Sequence, residues 1–321
     1  MKKLIIALSA LGAAFSATAK ADISVSGTNN VAYISSAASS DAENLAVGTT
    51  VSFALSTTTD SGMSISSSMA LSQDYDNDGN RLLDGGQAVT FTTGGTSITV
   101  GDVGIADTVG SIGGVVNGPT DDQSGVSSNV ATGFGEGAGT SDDGLGLSLT
   151  TAVGSASLTI GYITNDGKNN FGPINADAAQ GGTSAEMSIP MGAYTVSVGV
   201  ADHDDGSSAA GGTIAATLGT GTLTLGYSTQ TLVAASHAKL STGGDTTVAG
   251  ATYSTTLDAG TTLAVGYNHA KDADSDAATK MELSVERAIG GGASVYLDVV
   301  SLSGDAATDG TGIGLGTSVS F

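Results

Sequence analysis

The chain has 321 residues, of which 31 are acidic and nine are basic, and its formal net charge is −22. Such a charge excludes attraction to nucleic acid or to an anionic surface. With 49 Gly and no Trp, the chain has few of the large side chains that fill the core of a soluble domain. A membrane barrel needs fewer of them, because its outside packs on lipid and its inside can hold water.

The first residues have the pattern of a secretory signal peptide. Two lysines precede an apolar run at 4–15, and Ala19-Lys20-Ala21 forms an A-x-A cleavage site. The run is shorter than the roughly 20 residues of a spanning helix, which disfavours a retained anchor. We therefore predict that residues 1–21 are removed and that residues 22–321 form the mature protein, which keeps six basic and 31 acidic residues.

Further along the chain, apolar residues alternate with Ser, Thr, Gly or Ala. Examples in chain order are Leu45, Val47, Val51, Phe53 and Leu55, then Tyr194, Val196, Val198 and Val200, then Met281, Leu283 and Val285. Successive strand residues point to opposite faces, so each segment predicts a strand with one apolar and one polar face. A soluble sandwich alternates in the same way, and this pattern alone leaves both classes open.

Short turns and long acidic links alternate along the chain. The short turns are predicted at Thr59–Gly62, Thr93–Gly95, Val153–Ser155, Pro190–Gly192, Gly219–Gly221, Leu257–Gly260 and Gly290–Gly292. The longer acidic links are predicted at about 35–43, 74–84, 102–143, 165–181, 202–208, 237–245, 271–276 and 303–309. Short turns on one rim and long loops on the other are typical of an outer-membrane barrel. We predict an all-β, transmembrane antiparallel β-barrel of about 16 strands, with 14 or 18 as alternatives.

The C-terminal segment favours the same class. Ile313, Leu315, Val319 and Phe321 would share one face of the last strand. A terminal aromatic residue in this position resembles the C-terminal signature of bacterial outer-membrane β-barrels. The resemblance implies that Phe321 is a membrane assembly signal, with the barrel assembly machinery and outer-membrane lipid as partners.

Several short motifs resemble the general diffusion porins of Gram-negative bacteria, most closely the alphaproteobacterial type. They are the Thr-Thr-Asp-Ser-Gly-Met turn at 58–63, the Gly-Asp-Val-Gly segment at 101–104 and the terminal Phe321. The family implies a 16-stranded barrel, usually a homotrimer, whose long third loop folds into the lumen. Residues 102–143 occupy that loop's place. We predict that acidic residues of this segment line the constriction of the pore. They are Asp102, Asp107, Asp121, Asp122, Glu136, Asp142 and Asp143.

The chain departs from the family in its basic residues. Such porins set loop carboxylates against a cluster of arginines, but residues 82–167 contain no Lys or Arg. Alternation places further carboxylates on polar strand faces, at Glu186, Glu282, Glu286 and Asp298. Acidic rings favour cations. We predict a passive, weakly cation-selective channel for small hydrophilic solutes and ions.

One acidic loop resembles a calcium site. Asp74, Asp76 and Asp78 match the opening of an EF-hand loop, but Gly85 stands where a bidentate Glu is expected. Loosely bound Ca²⁺ and a solvated acidic loop both stay open, and no other cofactor is predicted. No catalytic motif is found, so we predict that the protein is not an enzyme. The alternative function is a secreted Gly/Asp-rich, Ca²⁺-stabilised β-solenoid, adhesin or surface-layer protein.

Overall fold

A computed structural model of the protein describes most of the chain after residue 21. The described residues are 22–36, 43–74, 84–104, 115, 143–164, 181–204, 206, 208–232, 244–271, 277–304 and 310–321. The predicted signal peptide and most of the predicted constriction loop, 102–143, therefore lie outside the described residues.

Sixteen strands make up the described structure. They are β1 (Asp22–Ser36), β2 (Glu43–Thr58), β3 (Ser64–Asp74), β4 (Asp84–Thr93), β5 (Thr96–Gly104), β6 (Asp143–Val153), β7 (Ala156–Ile163), β8 (Gly182–Met191), β9 (Tyr194–His203), β10 (Ser208–Leu218), β11 (Gly221–Leu232), β12 (Gly244–Asp258), β13 (Thr261–Lys271), β14 (Ala277–Gly290), β15 (Ala293–Gly304) and β16 (Gly310–Ser320). Within the described ranges, no helix is both long enough and apolar enough to cross a bilayer.

Each strand pairs antiparallel with its neighbours in sequence, and β1 also pairs with β16, which closes the barrel. The predicted fold class is therefore confirmed, with 16 strands. Closure leaves no unpaired strand edge, as a sheet in lipid requires. A closed barrel is also unlike a solenoid, so the secreted solenoid is not favoured.

Turn chemistry separates the two rims. At the β4–β5 hairpin, Thr93 pairs with Thr96 around Gly94 and Gly95, whose φ angles are 55° and 80°. A type I′ hairpin turn requires positive φ at both central positions, and glycine meets that requirement without steric cost. The seven short turns and both ends of the described chain lie at one rim, called here the short-turn rim.

Exposure identifies the two faces of the wall. On β16, Ile313 and Leu315 are 47% and 60% exposed, whereas on β15 Asp298 and Val300 are both 0% exposed. The interior of a closed barrel is its crowded side, so the first pair faces outward and the second faces the lumen. Each strand has one such outer face and one such lumen face, because its side chains alternate. The outer face is apolar on most strands, as lipid contact requires.

Buried apolar residues gather in patches on the lumen face. One cluster lies on β12 to β15, and its members are Val248, Ala270, Ala278, Val300 and Leu302. A second joins β15 to β1 and β2, and its members are Ala32, Ile34, Ala46 and Tyr296. The lumen wall is thus divided into covered apolar areas and polar areas.

Candidate functional site

Neutral hydroxyl groups line much of the lumen face. Four pairs bridge adjacent strands at 2.8–3.1 Å between oxygens: Thr90–Thr99, Thr92–Ser97, Thr150–Thr159 and Ser188–Ser197. Each pair joins residues that face one another in the strand register. Cross-strand hydroxyl bonds stabilise the pairing and keep the side chains against the wall. Apart from a buried apolar cluster of Val103, Ile163, Ala201 and Ala209, the described lumen face from β4 to β9 is polar and largely uncharged.

Charge on the lumen face is concentrated on β14 and β15. The Lys280 Nζ atom lies 3.0 Å from Glu282 Oε1, and the two side chains are 3% and 0% exposed. Asp298, on the neighbouring strand, is also fully buried. A buried ion pair of this kind is stable only when each charge keeps its partner. Glu282, predicted from the sequence to be a pore carboxylate, is instead buried and paired with Lys280.

A residue of the long β5–β6 link reaches this charged cluster. The backbone N–H of Val115 donates a hydrogen bond to Glu282 Oε2, with the nitrogen 3.2 Å from the oxygen. Glu282 faces Gly266 in the β13–β14 register. Val115 therefore lies inside the lumen, against the wall between β13 and β14.

Tyr296 covers the seam where the barrel closes. It faces Gly316 of β16 in the register, and a Cβ atom placed on Gly316 would collide with the phenol ring. The ring packs in the cluster with Ile34 and two alanines from β1 and β2. An aromatic ring over a glycine fills the space of the missing side chain, so the ring of Tyr296 closes this part of the lumen wall.

The predicted wall carboxylates fall into two groups. Glu282 and Asp298 are buried, at 4% and 0% exposure. Glu186 on β8 and Glu286 on β14 are half-buried on the lumen face, opposite Thr159 and Thr262 respectively. The second group is the one with access to water.

The predicted loop residues are mostly beyond the described part of the chain. Asp102 lies in β5 and Asp143 begins β6, whereas Asp107, Asp121, Asp122, Glu136 and Asp142 are outside the described residues. Asp74 ends β3, but Asp76 and Asp78 of the suggested calcium loop are also outside them. Among the residues that the structure describes, no group of three or more His, Asp or Glu side chains could hold a metal ion.

One basic residue lies away from the lumen, at the short-turn rim. Arg287 donates hydrogen bonds from Nη1 to Thr261 Oγ1 at 2.8 Å and to Asp258 Oδ2 at 3.3 Å. Arg287 and Asp258 are 61% and 57% exposed, so this ion pair is solvated. It contributes charge at the rim and none to the lumen wall.

Comparison with solved structures shows the same fold. A porin refined at 1.8 Å resolution matches with a TM-score of 0.69 and 19% identity, over 94% of this chain and all of the other. The anion-selective porin from Comamonas acidovorans matches with a TM-score of 0.67 and 12% identity, again over 94% and 100%. OmpT of Vibrio cholerae, in its trimer form, gives a TM-score of 0.69 and 11% identity, over 94% and 99%.

Sequence comparison identifies the family. A comparison with curated protein sequences finds no significant match. The model of the Gram-negative porin family matches residues 7–307, which is most of the chain. The closed 16-stranded barrel and its lumen agree with that match, and the family resemblance predicted from the sequence is confirmed. The chain belongs to the Gram-negative porin family.

Proposed function

We propose that the protein forms a water-filled outer-membrane channel for passive diffusion of small hydrophilic solutes and ions, with a weak preference for cations. Family membership supports an outer-membrane diffusion channel rather than an enzyme. The observation that carries the finer proposal is the composition of the lumen face. Paired hydroxyls line part of the lumen face from β4 to β9, and the half-buried carboxylates of Glu186 and Glu286 provide accessible negative charge on the wall.

The proposed preference for cations depends on the burial of Lys280 against Glu282. Its ammonium group is buried against Glu282, so it contributes little positive potential to the open lumen. Accessible wall carboxylates then have few cations to oppose them in the described part of the barrel, and acidic groups in a pore favour cations. The fold does not fix this property, since a porin of similar structure from Comamonas acidovorans is anion-selective.

Passive diffusion can be tested by liposome swelling. Purified protein in liposomes should admit uncharged sugars at rates that fall smoothly with solute size and do not saturate with concentration. Empty liposomes and liposomes with heat-unfolded protein serve as controls. Saturable uptake of one solute would contradict general diffusion, and absence of uptake for every solute would contradict the channel itself.

The same proposal includes a homotrimer. Vibrio cholerae OmpT of similar fold is found in a trimer form. On this chain, Asn29 Nδ2 donates to Thr49 Oγ1 at 2.7 Å on the outer face, in the middle of β1 and β2. Middle positions on the outer face of other strands carry apolar residues such as Val198, Leu225 and Leu315. An amide in the bilayer centre is costly, which supports contact between copies on this side of the barrel.

A further inference from the structure

Lys280, Glu282 and Asn268 bring an amine, a carboxylate and an amide together on the lumen face of β13 and β14. Lys280 and Asn268 stand directly opposite each other in the strand register. They are 2% and 0% exposed, and Glu282 is 4% exposed. Residues that pair in this way have Cβ atoms about 4.5–5.5 Å apart, so the long lysine side chain can reach the asparagine amide. The fold thus places a nucleophile beside an acyl group and a proton acceptor.

Apolar side chains stand beside these three residues. On β15, Leu302 lies opposite Lys280 and Val300 lies opposite Glu282 in the register. Both belong to the buried apolar cluster on β12 to β15. Charges are costly in such surroundings, which brings the ion pair closer in free energy to its neutral form, an amine and a carboxylic acid. A neutral amine next to a proton acceptor is an activated nucleophile.

The Asn268 amide lacks the partners that a buried amide normally has. Within the described residues, neither its Nδ2 nor its Oδ1 atom has a hydrogen-bond partner. Buried polar side chains without a partner are uncommon, and each one costs free energy. A reaction that expels the Nδ2 amino group removes part of this cost. The unpartnered amide therefore points to a role beyond that of a structural ion pair with a neutral neighbour.

We propose that Lys280 and Asn268 become joined by an isopeptide bond, with Glu282 as the catalytic proton carrier. Glu282 Oε1 lies 3.0 Å from Lys280 Nζ, which is within the distance that proton transfer requires. The bond fastens β13 to β14 covalently through their side chains. This cross-link goes beyond the proposed channel and does not depend on what the barrel conducts.

Atoms and protons balance in this reaction without a further reagent. Glu282 takes one proton from the Lys280 ammonium group, and the neutral Nζ attacks Cγ of Asn268 while the Cγ–Oδ1 double bond opens. Glu282 then gives that proton to Nδ2, the Cγ–Nδ2 bond breaks and the carbonyl forms again. The proton that Nζ loses leaves with the ammonia, so ammonium is released and Glu282 ends ionised. No group is oxidised or reduced.

Peptide mapping of the folded protein tests the bond. After denaturation, trypsin should fail to cut at the linked Lys280, so residues 240–271 and 272–287 should be recovered as one joined species. Its mass should be lower than the sum of the two peptides by one ammonia. Lys271 is exposed at the end of β13 and is the internal control, because trypsin should still cut there. Asn268→Ala, Lys280→Arg and Glu282→Gln should each lose the joined species.

A second test needs no variant, because the reaction requires the folded barrel. Protein dissolved in urea before it has folded should contain no joined peptides, and they should accumulate as it refolds in detergent. Heat-modifiable gel mobility measures the folded fraction in the same samples. Complete cleavage after Lys280 in folded wild type would overturn the proposal. Joined peptides formed at the wild-type rate by folded Glu282→Gln would overturn the catalytic role of Glu282.

Discussion

Gly27 and Phe321 form a doubly hydrogen-bonded backbone pair that completes the closure of the barrel. Each N–H donates to the other residue's carbonyl oxygen, with both nitrogen–oxygen distances 3.0 Å. The Phe321 ring lies over Gly27, where an added Cβ atom would collide with it. The terminal aromatic residue therefore packs on the outer face of β1, while 71% of its surface stays exposed.

Deleting Phe321 should reduce the amount of barrel assembled in the outer membrane without affecting export. The deletion removes two hydrogen bonds at the β1–β16 seam and the exposed aromatic group of the predicted assembly signal. Heat-modifiable gel mobility of outer-membrane fractions measures assembly, and periplasmic fractions measure export. Phe321→Tyr keeps the ring and is the control. Normal assembly of the deletion would contradict the predicted role of Phe321.

Gly27→Ala should weaken the same seam from the other strand. Its Cβ would meet both the Phe321 ring and the Thr50 carbonyl oxygen, the latter at 2.9 Å. Overpacking of this kind costs about 1–3 kcal/mol, which urea unfolding followed by circular dichroism can measure. Gly260→Ala is a matched control, because its Cβ would lie 3.5 Å from the nearest atom, the Ala288 carbonyl oxygen. Equal stability of the two variants would show that the ring leaves its place at little cost.

Arginine substitutions on β9 should distinguish the two faces of the wall. Val198 is 48% exposed on the outer face, and Val198→Arg should destabilise the barrel by roughly 2–4 kcal/mol near the bilayer centre. Its neighbour Ser197 faces the lumen beside Ser188. Ser197→Arg should fold normally and make the channel less selective for cations. Urea unfolding in lipid vesicles measures the first effect and reversal potentials the second; equal tolerance would mean that the assignment of faces is wrong.

Replacing one partner of the buried ion pair should destabilise the barrel more than replacing both partners. Lys280→Met leaves Glu282 buried without its cation and should lower the free energy of unfolding by about 3–5 kcal/mol. Adding Glu282→Met should recover part of that loss, since the carboxylate that Lys280→Met leaves without its cation is then removed. The exposed pair of Arg287 and Asp258 offers a control, and Arg287→Met should change the unfolding midpoint very little. A double variant as unstable as Lys280→Met would contradict this account of the pair.

Asn29→Leu should weaken trimers if the outer face of β1 and β2 contacts another copy. Leucine makes this face more suitable for lipid and removes the amide that bonds Thr49. Analytical ultracentrifugation in detergent should then show more monomer than wild type. Leu225→Val, on the outer face of β11, is a control that should leave the assembly unchanged. A trimer of undiminished stability in Asn29→Leu would place the contact surface elsewhere.

The strand count could be predicted from the sequence because every short hairpin is local. Thr93-Gly94-Gly95 predicts a tight turn by composition, and the structure pairs Thr93 with Thr96 around the two glycines. The sequence also predicts closure. An open sheet would leave unpaired backbone groups on its two edge strands, and pairing the first strand with the last removes both edges. Local turn chemistry thus determined most of the architecture.

The charged cluster shows where such prediction stops. Lys280 and Glu282 are two residues apart on one strand, so their shared face was readable from the sequence. Their burial could not be predicted from the sequence, because it involves Val115, which is 167 residues away from Glu282. Tyr296 is similar: its place over Gly316 depends on strand register and on the closure of β16 against β1. Contacts between segments that are distant in sequence can be identified only in the folded structure.

Reversal potentials in asymmetric KCl test the central claim most directly. Wild-type channels in a planar bilayer should pass K⁺ over Cl⁻. The preference should weaken at high salt, because screening acts over about 8 Å at 0.15 M but about 3 Å at 1 M. Joint replacement of Glu186 and Glu286 by Gln should move the reversal potential toward zero. Stepwise conductance with K⁺ selectivity is the predicted result; anion selectivity, or no conductance steps, would contradict the account.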